Sequence, residues 1–143
     1  MMGLEAIQRA EFSCAYMSSI SQIPKFNACH YKVEVTVSTK SNEDVDLVIS
    51  YSDMTKYLNR ILPDNTFMIS DIQVDEFATL YDTFEALGVK VLKLSYAITS
   101  ENLASAIANT LQSLLDKDEL DLAVTEVKLK ETNSSTVRWS KSS

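Results

Sequence analysis

Histidine is all but missing from this 143-residue sequence, which has one, and cysteine, glycine and proline occur twice each. Two cysteines, Cys14 and Cys29, do not frame a disulfide-built fold and read as reduced thiols. With so little glycine and proline there are few chain breaks and no linker-like segment, and no internal repeat stands out. One domain over 1–143 is expected, with a polar tail at 141–143 that frays. No apolar run approaches the roughly 20 residues that cross a bilayer. The opening MMGLEAIQRAEF lacks a basic end followed by an apolar stretch, so no signal peptide is expected and the cytoplasm is the expected compartment. Positive charge is also short: 13 Lys and Arg face 20 Asp and Glu, a net of −7, and no local basic patch shows. Counterion release onto Lys and Arg is the main source of nucleic-acid affinity, so nucleic acid is a poor partner. The composition, 45% hydrophobic, 23% charged and 8% aromatic, is that of an ordinary globular protein and excludes collagen-like, low-complexity and disordered chains.

Periodicity supplies the elements. Over 31–39, Tyr31, Val33, Val35 and Val37 alternate with Lys32, Glu34, Thr36 and Ser38, a strand with one apolar face. A less regular strand precedes it over roughly 5–16, with a loop or wide turn at 18–24 between them and a polar turn at 40–44 after it. Three helices follow. The first has Ser52 as its expected N-cap, Met54, Leu58, Ile61 and Leu62 as its stripe, and Pro63 as its stop. The second carries Val74, Phe77, Tyr81 and Phe84, with Gly88 placed to end it in the left-handed conformation. A short β-rich segment at 89–96 leads to the third, capped by Thr99 or Ser100 and lined by Leu103, Ile107, Leu111, Leu114 and Leu115. Two closing strands, 120–131 and 136–140, are joined by a turn at Asn133, Ser134 and Ser135. Paired strands at both ends around helices predict an α+β fold, an antiparallel sheet with helices on one face. Such a small sheet leaves open edges, and oligomerisation is one way to cover them.

Five segments carry a further signal. They are Glu11-Phe12-Ser13-Cys14-Ala15-Tyr16; Tyr31 to Val37; Asp46-Leu47-Val48-Ile49-Ser50-Tyr51-Ser52-Asp53-Met54; Thr99-Ser100-Glu101-Asn102-Leu103-Ala104; and Val127-Lys128-Leu129-Lys130-Glu131-Thr132. In that order they resemble the F-S-A-x-H strand end, the strand after H-G-H-N, the G-M-V-x-D-F-x-D-L segment, the P-T-x-E-N-x-A helix start and the V-x-V-x-E-T strand end of the 6-pyruvoyl-tetrahydropterin synthase and 6-carboxy-tetrahydropterin synthase family. The resemblance spans roughly 9–139; the stretch 66–98 is longer than the family usually has and reads as an insert. It implies a T-fold, whose small subunits assemble into a barrel with pterin pockets at subunit interfaces. It also implies a zinc held by three histidines and a catalytic Cys, Asp and His.

Residue by residue, the chemistry of the family is replaced. The zinc positions fall on Tyr16, Asn27 and Cys29, of which only Cys29 is a ligand type zinc favours, and His30 has the opposite strand phase. Cys14 shares the phase of Tyr16, which leaves a partial Cys14–Cys29 site open beside the plainer reading of both as small core residues. Neither zinc nor another cofactor is expected. The stretch 21–26, where the family's cysteine would lie, has none, and the L-D-H segment corresponds to Pro63-Asp64-Asn65, where an amide replaces the histidine. An amide exchanges no protons near neutral pH. Asp64 and Cys29 are the remaining catalytic candidates, with Asp64 equally a turn residue at a helix end.

What the resemblance implies as retained is the pterin anchor. Glu131, followed by Thr132, matches the family glutamate that holds the pyrimidine edge. Glu131 is in phase with Val127 and Leu129, so an ideal strand aims its carboxylate at the apolar side, where it needs a partner. The 2-amino and ring N–H groups of a pterin are two parallel donors for one carboxylate. The alternatives are a bulge or strand end that lets Glu131 reach solvent, or a Lys that pairs with it. Thr99 is a ligand contact by resemblance, although helix capping explains it fully. Three readings stay open: a homo-oligomeric T-fold that binds a small pterin-like heterocycle without lyase activity; a lyase with a site rebuilt on Cys29, Tyr16 or Asp64; and a non-catalytic assembly subunit.

Overall fold

Two long strands, β1 (Glu5–Ile20) and β2 (Ile23–Thr39), form the spine of the molecule. They pair antiparallel in unbroken register from Glu5 opposite Ser38 to Ile20 opposite Ile23. The computed structural model describes residues 4–20, 23–41, 47–71, 77–132 and 135–142. Both strands run further than the sequence suggested, through Ser18, Ser19 and Pro24, because cross-strand pairing supplies the hydrogen bonds that local propensity does not. The alternation of β2 is as expected: Tyr31, Val33, Val35 and Val37 are all buried.

The remaining elements follow in chain order: α1 (Tyr51–Ile61), β3 (Thr66–Ser70), α2 (Phe77–Ala86), β4 (Val91–Leu94), α3 (Ser100–Lys117), β5 (Leu122–Thr132) and β6 (Ser135–Ser140). The six strands lie in one sheet in the order β4-β3-β1-β2-β5-β6. The four strands β1, β2, β5 and β6 are antiparallel, as expected. The 66–98 segment contributes two strands rather than one, and β3 runs parallel to both β1 and β4. A helical crossover such as α2 is what a parallel neighbour requires. The sequence reading missed β3 because Thr66–Ser70 is a short apolar run without alternation: four of its five residues are buried, on both faces.

On one face, α1 and α3 close the core. Met54 and Leu58 of α1, and Leu103, Ile107, Leu111 and Leu115 of α3, pack onto the β2 and β5 valines and leucines. Leu111 and Leu115 are fully buried, each stabilising the fold by roughly 1.5–3 kcal/mol relative to exposure. On the other face α2 lays Phe84 on Phe67, ring centroids 4.8 Å apart; Phe67 leaves β3 opposite to the buried Met68.

The helix ends follow capping chemistry. Ser50, rather than Ser52, is the N-cap of α1: its backbone is extended and its Oγ accepts from Asp53 N–H at 3.1 Å. Tyr51 already begins the helix, so Ser52 lies inside the first turn. Thr99 caps α3 and accepts from Asn102 N–H at 3.0 Å. Gly88, at φ 79°, closes α2 with Gly88 N–H donating to the Glu85 carbonyl and Val89 N–H to the Phe84 carbonyl, the double bond of a Schellman end. Val74, 42–44 of the polar turn, Asn133, Ser134 and Ser143 lie outside the described residues.

Candidate functional site

Where β1, β2 and β5 meet below the N-terminus of α3, six side chains, Cys14, Tyr16, Asn27, Cys29, Tyr31 and Glu131, share one sheet face. Cys14 stands opposite Cys29, and Tyr16 opposite Asn27, in the β1–β2 register. In an antiparallel pair, opposed residues point to the same side, so the positions Tyr16, Asn27 and Cys29 come together there with Tyr31 next along β2. The β5 strand enters beside them. Its in-phase residues Val127 and Leu129 are buried, and Glu131, two further on, reaches the Cys29 thiol, which donates to Glu131 Oε1 at 3.3 Å. Tyr16 and Tyr31 also hydrogen-bond Cys29. The Tyr31 hydroxyl meets Ser100 Oγ at 3.1 Å, which ties the cluster to the first turn of α3.

Glu131 keeps the predicted phase, and of the alternatives left open the one found is the bulge that lets it reach solvent. Its side chain is on the Cys29 side of the sheet, yet the residue is exposed. The register of β5 against β6 shifts between Lys130 and Thr132, and that bulge at the strand end opens the carboxylate to water. Among the described residues no cation pairs with it, so the thiol at 3.3 Å leaves most of its acceptor capacity unused. The Thr132 side chain lies outside the described residues.

The thiols and phenols of the cluster are held protonated. Burial, then the neighbouring Cys29 thiol and the Asp64 and Glu131 carboxylates, push the Cys14 thiol up to about 12. Burial first, then Cys29 and Glu131, push the Tyr16 hydroxyl up to about 12. The Cys29 thiol is raised by burial and by its bond to Glu131, against an opposite pull from the Tyr31 and Tyr16 hydroxyls. Tyr31, fully buried and stacked on Phe12 with centroids 5.2 Å apart, is raised chiefly by burial. Both cysteines are free thiols.

The other candidates lie apart from this cluster in function. Asp64 is exposed, and its Oδ1 accepts from Ser13 N–H at 2.8 Å while Asn65 N–H donates to the Ser13 carbonyl at 2.7 Å. The pair docks the end of α1 onto the β1 edge just before β3 begins at Thr66, with Asn65 in the left-handed region at φ 52°. Thr99 is exposed and engaged as a helix cap. His30 points to the opposite sheet face, with Nδ1 2.8 Å from Ser13 Oγ and Nε2 3.4 Å from Glu11. Sequence reasoning treated Tyr31 only as core, and Ser100 only as a cap. The signal for Tyr31 was its phase, two residues beyond Cys29 on the same strand face.

Over residues 7–142 the sequence matches the family described as 6-pyruvoyl tetrahydropterin synthase. The chain belongs to that family. The six-stranded sheet with three helices is its T-fold. Solved structures of similar fold include an uncharacterized protein from Wolinella succinogenes, with TM-score 0.68, 18% identity, and 97% of this chain and 99% of that one covered. The 6-pyruvoyl tetrahydropterin synthase of Plasmodium vivax aligns with TM-score 0.70 and 12% identity over 99% of each chain. That of Caenorhabditis elegans aligns with TM-score 0.63 and 14% identity over 99% of this chain and 100% of that one. At such identities the likeness is one of fold. No curated protein is significantly similar in sequence. Among the described residues no helix is long and apolar enough to cross a membrane.

Proposed function

We propose that this member of the 6-pyruvoyl tetrahydropterin synthase family binds a pterin, or a related purine-like heterocycle, on Glu131, without zinc and without the lyase chemistry of its relatives. The observation that carries the reading is the Glu131 carboxylate itself: exposed, uncompensated by any described cation, and positioned at the strand end where the family holds its ligand. An ionised carboxylate accepts two parallel N–H bonds, and the pyrimidine edge of a pterin or guanine offers that pair. Thr99 and Ser100 at the start of α3, and Thr132 beyond Glu131, are the further contacts. A second copy of the chain closes the open side of the pocket in a homo-oligomer, and the compartment is the cytoplasm.

The donor chemistry argues against a metal step. Zinc takes imidazole nitrogen, thiolate or carboxylate oxygen, and its ligands bind deprotonated. A phenol pushed up to about 12, a carboxamide and a thiol held protonated by burial and by Glu131 do not fit that demand. The same proton-holding argues against a rebuilt lyase. Acid–base work near neutral pH needs a group poised near neutrality, and the thiols and phenols beside Glu131 are displaced upward. Asp64 has a structural occupation on Ser13.

The test is a fluorescence titration of the purified protein with pterin, neopterin and guanine compounds, with and without added zinc. Saturable binding that zinc leaves unchanged is expected, weakened about 10- to 100-fold in Glu131→Gln, the loss of a charge-assisted pair. Failure of every compound to bind at about millimolar concentration overturns the reading and favours the assembly subunit; turnover that requires zinc favours the lyase.

A further inference from the structure

The sheet face opposite the Cys29 cluster carries a second concentration of charge. Four strands contribute to it in register. One row runs Glu11, Lys32, Lys130, Thr136 across β1, β2, β5 and β6, and the next runs Arg9, Glu34, Lys128, Arg138. Two like-charged pairs therefore stand directly opposite each other, Lys32 with Lys130 and Lys128 with Arg138. Directly opposed like charges destabilise an antiparallel pair, and here two such pairs are adjacent in a chain whose net charge is −7. The sequence shows no basic patch because these four cations are drawn from three separate strands.

Carboxylates compensate only half of the group. Glu34 holds Arg9 at 3.0 Å and lies 3.8 Å from Lys128. Glu126 takes Lys128 at 3.4 Å and Arg138 at 3.7 Å. Lys32 and Lys130 have no ion pair among the described residues, and Glu11, the nearest acid across from Lys32, turns to His30. These two lysines, Lys128, Arg9 and Thr136, together with the carboxylates Glu11 and Glu34, line a concavity of about 740 Å3, so its cations outnumber its acids by four to two. Opposed residues are about 5 Å apart and successive in-phase residues about 7 Å, so the cations span a grid wider than a single phosphate.

We propose that this concavity is a second ligand site, one that takes a small anion with two or more phosphoryl groups. Lys32 and Lys130 supply the two unneutralised ammonium groups, Lys128 the third, and the Thr136 hydroxyl a neutral donor at the rim. The bound anion relieves the repulsion between the opposed lysines. The site is independent of Glu131, which lies on the other face.

The experiment is calorimetric titration with inorganic tripolyphosphate at low salt, with thermal melts alongside, on the wild-type protein, Lys32→Gln, Lys130→Gln and the control Lys56→Gln on the exposed side of α1. Saturable binding that weakens with added salt is expected, reduced about tenfold or more in either sheet variant and unaltered in Lys56→Gln. In anion-free buffer Lys130→Gln is expected to melt above the wild type, and tripolyphosphate to raise the wild-type melting temperature but not that of Lys130→Gln. Inorganic pyrophosphate beside a nucleoside diphosphate separates the two sources: equal affinity assigns the site to the phosphoryl chain alone, and tighter nucleoside diphosphate binding to a phosphoester. Absence of saturable binding, or equal loss in all three variants, overturns the proposal.

Discussion

Cys29 and His30 are neighbours in sequence and strangers in the fold. Cys29 faces the helices, donates to Glu131 and is hydrogen-bonded by two tyrosines whose own protons are held by burial. His30 faces the other way, lies in water, and contacts Ser13 and Glu11. One step along a strand thus separates a half-buried hydrogen-bonded cluster from an exposed polar surface. The lesson is that strand phase decides which residue type can do chemistry at a site. The single histidine of the chain is on the same strand as Cys29 and on the opposite face, so its imidazole does not reach the Cys29 cluster.

The sharpest way to break this contrast is at the base of the cluster. Tyr31→Ala removes a fully buried ring stacked on Phe12, and a loss of about 3–5 kcal/mol in urea unfolding is expected. Tyr31→Phe keeps the ring and removes the hydroxyl with its bonds to Ser100 and Cys29, and about 1–2 kcal/mol is expected. Next is Glu131→Gln, which is expected to leave the unfolding midpoint nearly unchanged, since the carboxylate is exposed, while ligand affinity falls.

A smaller effect lies in the alkaline range. Cys14 rises from 9.0 to about 12 and Tyr16 from 10.0 to about 12 in the fold. The folded state binds those protons more tightly than the unfolded chain. Their contribution is complete below about pH 9 and is lost as pH rises toward about 12. Urea unfolding measured from about pH 8 to about pH 11 is expected to show falling stability, with a shallower fall in Cys14→Ala. The smallest effect is on the other face: His30→Ala is expected to change stability by no more than about 0.5 kcal/mol, because its partners are exposed.

Much of the spine was legible. The strict alternation of 31–37, the stripe of α3 and its Thr99 cap, and the glycine end of α2 each report a local physical demand that one sequence displays. The resemblance carried the rest of the site, placing Tyr16, Asn27, Cys29 and Glu131, which the register then brings onto one face. What stayed hidden is what depends on distant partners. The β3 run Thr66–Ser70 reads equally as strand or buried turn until β1 and β4 flank it. The exposure of Glu131 follows from a bulge against β6, an alternative the sequence offered but could not choose because periodicity does not report the pairing with β6. The cation grid exists only once four strands are aligned.

The most direct measurement is a pterin titration of Glu131→Gln and His30→Gln side by side with the wild type. Affinity lost in Glu131→Gln and kept in His30→Gln is the expected result, and it ties ligand binding to the Cys29 face of the sheet. Equal affinity in Glu131→Gln and the wild type, or a loss confined to His30→Gln, would contradict it.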